Sequence, residues 1–398
     1  MCSVFFIFAV MMTLCSAEEF RTLTARLNPD CPAEICYNND PNIITVVHIS
    51  SDGQHDTLHY VWDFTGKPSV LIALTSPNTN LTINWRNFMD DKQESSIEFS
   101  TKPIYTSTVV LNRLWQFNDA EDTGTFSNGV NSSEINVYDT RNITWTRNQF
   151  HKSVHEVEVT VTGDNSDFFG DGRVSLNLKC FASVDHGVDF PHLLHSENST
   201  EFDLVLDGLR VNSSFPQARF AAEFVIVSEE TKNKNQSFTV HSKKSLDDEH
   251  TPGIFEIVEI ASPKSFMANE GSFIQYRPVS YTHPERDVST STELHITMPT
   301  NLDNPATQLN SSLAWVYYGS LLNTILVQGF NVSFGMSGDG FYTKTNYSTW
   351  TFVMGYGAPP NEQLSMFVVI VASIGLGIPL ILLVGGGCYM CIKRTRNR

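Results

Sequence analysis

Leu364 to Ile392 is a run of 29 residues without a charged side chain, and Lys393, Arg394, Arg396 and Arg398 follow it at once. At 1.5 Å rise per residue, the run exceeds the roughly 20 residues that a membrane-spanning helix needs. Lysine and arginine are retained on the cytoplasmic side, so residues 363–392 read as one span and 393–398 as a cytoplasmic stub. The body preceding Glu362 then faces the lumen. At the other end, Val4–Leu14 is an apolar core too short to cross roughly 30 Å of hydrocarbon. Small residues Cys15, Ser16 and Ala17 come next, so residues 1–17 read as a secretory signal peptide. The topology is single-pass type I.

The charge divides along the same lines. The whole chain carries 26 Lys and Arg against 43 Asp and Glu, a net −17. Outside the signal and the last 36 residues there are 22 basic and 43 acidic side chains, or −21. So acidic a body repels phosphate backbones, which excludes nucleic acid as a partner. With 27 Phe and only 17% charged residues, the chain has the composition of a packed protein and not a disordered one.

Nine Asn-x-Ser/Thr sequons lie between the hydrophobic ends, at Asn80, Asn131, Asn142, Asn198, Asn212, Asn235, Asn310, Asn331 and Asn346. In a lumenal segment they are glycosylation acceptors. Cys31, Cys36 and Cys180 remain in the body, enough for one disulfide with a thiol left over. Cys31–Cys36 closes a tiny loop, and either of them with Cys180 clamps the N-terminal region to a strand; spacing does not choose. Cys388 and Cys391 sit at the inner membrane face, a setting for palmitoylation.

From residue 40 to 355 the periodicity is two. His155–Val161, Val174–Leu178, Glu201–Leu206 and Asn331–Phe334 alternate as half-buried strands do. Solid apolar runs at Ile43–Ile49, Val70–Leu74 and Phe224–Val227 suit strands buried on both faces. Turn residues such as Asp171-Gly172 and Gly338-Asp339-Gly340 punctuate them. The expected fold is mainly β: two antiparallel sandwich-like lumenal domains, 18–190 and 191–362, plus one C-terminal transmembrane helix. The seam is placed in Ala182–Thr200, an aperiodic stretch.

Patterns for chemistry are thin. His186, His192 and His195 cluster on the seam without a patterned carboxylate, so no metal is assigned. His151 and His155 have i, i+4 spacing but lie in a period-two segment. Asp164–Asp167 with Asp171-Gly172 lacks the alternate ligands and closing Glu of a calcium loop. Asp247-Asp248-Glu249 are sequence neighbours that point in different directions, where a glycosidase needs two carboxylates at a set separation. No catalytic residue, metal or cofactor is assigned. A lumenal glycan-directed hydrolase is the rival reading. So is a glycan- or lipid-binding receptor built on Trp62, Trp85 and Trp315. In the span, Ser373 and Gly377 lie four apart on one face, where a second membrane helix can approach closely.

Several motifs run in order along the chain: Leu58-His59-Tyr60-Val61-Trp62, Asn80-Leu81-Thr82-Ile83-Asn84-Trp85, and Ser245-Leu246-Asp247-Asp248-Glu249 with Pro252 and Phe255. Arg277-Pro278-Val279 with Tyr281, Asn331-Val332-Ser333-Phe334-Gly335, Gly355–Pro360 and the Gly-rich anchor follow. In this series the chain resembles the glycosylated lysosomal membrane protein family. The resemblance implies lysosomal residence and a non-enzymatic role as accessory subunit of a multi-pass, dipeptide-transporting lysosomal member of the major facilitator superfamily, which the glycosylated body shields from proteases. A homodimer is left open. Two features depart from the family pattern. Its tyrosine-based sorting signal stands clear of the bilayer, whereas Tyr389-Met390-Cys391-Ile392 abuts it, leaving Tyr389 and Ile392 as the sorting candidates. Its several lumenal cysteines are also largely missing.

Overall fold

The computed structural model describes residues 21–37, 42–90, 93–126, 132–231, 236–245, 251, 253–361 and 366–396. The signal segment, Asn131, Asn235 and Asp247–Glu249 lie outside the described residues.

Among the described residues, seventeen strands have five or more residues. In chain order they are β1 (Thr22–Leu27), β2 (Val46–Asp52), β3 (Thr57–Asp63), β4 (Ser69–Thr75), β5 (Tyr105–Asn118), β6 (Ile135–Asp139), β7 (Thr144–Lys152), β8 (Glu156–Asp164) and β9 (Arg173–Phe181). They continue as β10 (Ser199–Asp207), β11 (Ala218–Thr231), β12 (Thr239–Lys244), β13 (Glu256–Ala261), β14 (Ser272–Tyr276), β15 (Ser291–Ile296), β16 (Ile325–Phe334) and β17 (Tyr347–Tyr356).

All their ladders are antiparallel. One sheet runs β1–β2–β3–β4–β5–β11–β16, with β6 on the β5 edge beyond β4. The other runs β7–β8–β9–β10–β17–β14–β13–β12. β15 joins them at a corner, pairing with Val279–Tyr281 beside β17 and with β16. The mainly β, antiparallel body followed by one long apolar helix is as the sequence reading expects.

The strands on either side of residue 190 do not sort into separate sheets. The β9–β10 and β5–β11 ladders both cross that boundary. The core crosses it as well. Phe224 of β11 stacks on Phe330 of β16 at 5.9 Å and meets Trp350 and Phe352 of β17 edge-on at 5.5 and 5.4 Å. Phe202 of β10 lies 5.8 Å away, again edge-on. Aromatic pairs in these arrangements add roughly 0.5–1.5 kcal/mol each beyond area burial. This cluster holds the two sheets face to face.

Strand patterns follow from what covers each face. In β8 the valines Val157, Val159 and Val161 point into the core and the alternate positions through Thr160 are half-buried, matching the sequence alternation. β3, β4 and β16 are buried at every position. The cause is a second layer on the outer face of the first sheet. The short helix Leu313–Tyr318, capped by the Ser312 hydroxyl, lays Ala314 and Tyr318 on Val110, Val225 and Val327. Trp85 and Phe88 of the helix Trp85–Met89 pack with Val61 and Leu71. Cys31 and Cys36 form a disulfide, Cα–Cα 6.1 Å, that closes the turn over this layer, and Cys180 is a buried free thiol in β9.

β17 leads through Gly357–Asn361 toward the helix Met366–Arg396, whose 31 residues span about 46 Å at 1.5 Å per residue. Pro379 lies inside it.

Candidate functional site

The stretch read as a domain seam, Ala182–Thr200, is for the most part an excursion between β9 and β10, residues Ala182–Asn198, and its last two residues open β10. The excursion folds back over the ends of β8, β9 and β10 by a two-residue ladder, Asp185 opposite His195. Beneath it is a cleft of about 200 Å³ in which His155, Lys179, His186, His195 and Glu201 come together.

Each side chain is set by its element. Glu201 stands opposite Lys179 in the β9–β10 ladder. The excursion covers it so closely that a Cβ at Gly187 would sit 3.0 Å from its Oε2. Burial pushes the Glu201 carboxyl up to about 7, although Lys179 draws it down. His195 stacks on Phe181 at 3.4 Å and its Nδ1 donates to the Ser183 carbonyl at 3.1 Å. Burial pulls its imidazole down to about 4. In an acidic lumen the cleft therefore presents a neutral carboxyl and a neutral imidazole.

Of the three seam histidines, His186 and His195 share this cleft. His192 turns away, donating to the Gly187 carbonyl at 2.8 Å and packing on Phe190. His155 occupies the β7–β8 turn, while His151 lies in β7 opposite Glu158, so the i, i+4 pair does not converge. Among the described residues no group of three or more His, Cys, Asp or Glu is placed to hold a metal ion.

Trp62, Trp85 and Trp315 belong to three different core clusters, with Trp62 and Trp85 at 0% and 3% exposure. They form no shared aromatic platform. A larger depression of about 420 Å³ lies between the β8–β9 and β10–β11 turns, with Asp167 as the one carboxylate among its described lining residues and the sequon Asn212 beside it. Asn80, Asn142 and Asn346 are exposed; Asn198, Asn212 and Asn310 are half-buried; Asn331, inside β16, is buried.

Two arrangements escaped sequence reasoning. His48 and His59 form a buried pair on β2 and β3, signalled only by one imidazole in each of two apolar runs. Arg219 of β11 is ringed by Asp119, Asp122 and Asp339 at 2.6–2.9 Å, which ties two distant turns to the sheet.

The sequence motifs resolve into packing. Tyr60 and Trp62 are fully buried, and the Asn84 side chain caps the helix that places Trp85 in the core. Arg277 is 1% exposed and donates to the Ile254 carbonyl. Gly335, at φ +116°, leaves room for Arg219, whose Nη1 would lie 2.0 Å from a Cβ there. A Cβ at Gly355 would strike the Asn198 carbonyl oxygen at 2.1 Å.

In the last helix Ser373 and Gly377 share a face, and a Cβ at Gly377 would meet nothing within 4 Å. The helix continues to Arg396 and holds Tyr389 and Ile392 one turn apart, both exposed.

A lumenal two-sheet sandwich on one C-terminal anchor defines a single-pass type I membrane glycoprotein. The family model described as glycosylated lysosomal membrane protein matches residues 45–397, and the chain belongs to that family. Glycosylated lysosomal membrane protein A of Xenopus laevis is 28% identical over 389 residues, covering 95% of this chain and 91% of the relative. The Danio rerio protein is 27% identical over 387 residues, covering 95% and 90%. The Homo sapiens protein is 22% identical over 365 residues, covering 88% and 84%. The chain is a lysosomal membrane glycoprotein, with its β body in the lumen.

Proposed function

We propose that this protein is a non-catalytic accessory subunit of a multi-pass lysosomal transporter, the dipeptide-carrying major facilitator type implied by the family resemblance. In this reading it binds that carrier, stabilises it and shields it from lumenal proteases. The observation that carries the proposal is the use to which the family motifs are put. Tyr60, Trp62, Trp85, Arg277, Gly335 and Gly355 are core or close-approach residues, so the motifs that carry the resemblance build a scaffold. Exposed sequons at Asn80, Asn142 and Asn346 would clothe that scaffold in glycans, and Ser373 with Gly377 offers the anchor a close-packing face.

The two cavities described above give hydrolysis less support than this reading. The histidine cleft, about 200 Å³, falls below the roughly 300–1,000 Å³ of small-molecule sites. The larger depression brings one carboxylate where glycoside hydrolysis needs two.

Affinity capture of the full-length chain from lysosomal membranes tests the proposal. A multi-pass carrier should co-purify, and its abundance should fall when this chain is deleted. Recovery of the free chain alone, with carrier levels unchanged after deletion, would overturn it.

A further inference from the structure

The register beside the anchor fixes what else lies at the membrane end of the sandwich. β14 runs antiparallel to β17 with Ser272 opposite Tyr356, and the Gly357 amide donates to the Gly271 carbonyl at 2.9 Å. The β13–β14 turn, Ser262–Gly271, therefore projects past the last residue of the strand that leads into the membrane. Gln275, opposite Val353, donates from Nε2 to the Pro360 carbonyl at 3.1 Å, so the departing chain folds back along β14 and stays tied to it as far as Pro360. Six Cα steps then reach Met366, at most about 21 Å when fully extended.

This turn is stiffened to hold two apolar side chains outward. The Ser265 amide donates to the Glu270 carbonyl at 2.9 Å, and the Asn269 amide to the Ser265 carbonyl at 2.8 Å. The Ser265 hydroxyl accepts from the amides of Met267 and Ala268. Lys264 and Glu270 pair across the base at 3.3 Å. Below, the Tyr105 hydroxyl lies 3.0 Å from the Ser262 and Ser272 hydroxyls and roots the turn in the first sheet. At the crown Phe266 is 98% and Met267 75% exposed.

Neighbouring turns at this end behave alike. Val154 between β7 and β8 is 74% exposed, and Val188 in the excursion 86%. At the opposite end the β8–β9 and β10–β11 turns bury Phe169, Leu209 and Phe215. Among the described residues of the body, the four most exposed apolar side chains, Phe266, Val188, Met267 and Val154, therefore all lie where the chain meets its membrane, while Phe255, Val288 and Met336 at other turns are 40–58% exposed.

The geometry points to a second membrane contact: Phe266 and Met267 enter the lumenal leaflet of the bilayer that the chain's own helix spans. An aromatic ring and a flexible thioether suit the boundary between headgroup and acyl chain, and Lys264 can extend its stem there while keeping its ammonium in water. With a body of net −21, the attraction is apolar contact and not recognition of anionic lipid. Anchor and turn together would fix the tilt of the sandwich over the membrane. The inference rests on topology and register, independently of the accessory-subunit reading.

The test uses the full chain in phosphatidylcholine nanodiscs, with Cys388 and Cys391 changed to Ala. An environment-sensitive fluorophore is attached through Met267→Cys, or through Val137→Cys on β6 as control. Emission at 267 should shift to shorter wavelength and be quenched when brominated lipid is introduced, and the signal at 137 should not change. Adding Phe266→Asp should abolish the quenching while the thermal unfolding of the body is retained. Absence of quenching at 267 would overturn the inference. So would protection of the 267 label only when a multi-pass protein is present, which would assign the turn to protein contact. Because quenching is first read on the purified chain alone and the multi-pass protein is added only in a second arm, failure here leaves the carrier-capture result standing, and the reverse.

Discussion

His48 Nε2 and His59 Nδ1 lie 3.0 Å apart on neighbouring strands, rings stacked, inside the first sheet. One proton fits between them, since two N–H groups would otherwise face each other. His59 Nε2 lies 3.0 Å from the Thr75 hydroxyl, so the pair is satisfied without any charge. Burial lowers His48 to about 3, helped by His59 and Arg26, and lowers His59 to about 4 against the pull of Asp52. Both lie beneath the ordinary 6.5, so the unfolded chain binds more protons than the folded one as pH falls. The pair's contribution is complete above pH 6.5 and is lost toward pH 4. Between pH 6.5 and about 5 the first imidazole alone costs about 2 kcal/mol. Replacing both by Gln should flatten that acid slope, read as Tm against pH on the full-length protein.

Glu201 acts with the opposite sign. Its folded value of about 7 lies above the ordinary 4.5, so folding takes up a proton between the two. The stability it contributes is fully present below pH 4.5 and is lost as pH rises through 7, a difference of about 3 kcal/mol. Glu201→Gln should raise Tm at neutral pH and leave it nearly unchanged in acid. An equal gain at both ends of the range would show that Glu201 is ionised throughout.

That carboxyl also shows where local pattern stops being informative. Glu201 begins a segment that alternates polar and apolar, which reads as a polar outward face, yet the first six positions of β10 are buried. The excursion that covers them has no periodicity of its own. The solid runs in β4 and β11, the alternation in β8 and β9, and the charge-flanked span were legible because each is set by neighbours within one element. The assignment of strands to sheets was not. Arg219 pairs with Phe117 across about a hundred residues, and β9 reaches β10 across the expected seam. Such ladders are selected by the shared Phe224 cluster, which no single segment contains. His48 and His59 stayed invisible for the same reason: each is one polar residue in an apolar run until strand pairing sets them side by side.

Arg219 should behave as a buried ionic hub. It is 2% exposed, contacts three carboxylates and lies over the Phe341 ring at 4.8 Å. Arg219→Met would leave Asp119, itself 4% exposed in its side chain, without its charge partner, at a cost of about 3–5 kcal/mol. Denaturant unfolding should show that loss; a change under 1 kcal/mol would mean that water reaches the acidic residues.

Glycan occupancy should follow exposure. Asn331 is 8% exposed and central in β16, where its backbone amide donates to the Thr297 hydroxyl at 2.9 Å. A sugar on that side chain, whose Oδ1 is buried, would have to displace the residues packed over it. Glycopeptide mass spectrometry on the mature protein should find Asn80, Asn142 and Asn346 occupied and Asn331 bare. A glycan at Asn331 would require a different packing of β16.

The anchor face gives the sharpest genetic test of partnership. Ser373 and Gly377 are one turn apart, and a Cβ at Gly377 meets nothing within 4 Å beyond its own helix backbone. Gly377→Leu should therefore leave the lumenal Tm and the level of the chain unchanged, since nothing within the molecule is displaced. It would, however, prevent a second helix from approaching at the distance that small residues permit. The expected result is loss of the co-purifying multi-pass protein at constant bait. Undiminished capture would place the contact on the lumenal sandwich, and Phe266→Asp in the same assay would then ask whether its membrane-proximal turn takes part.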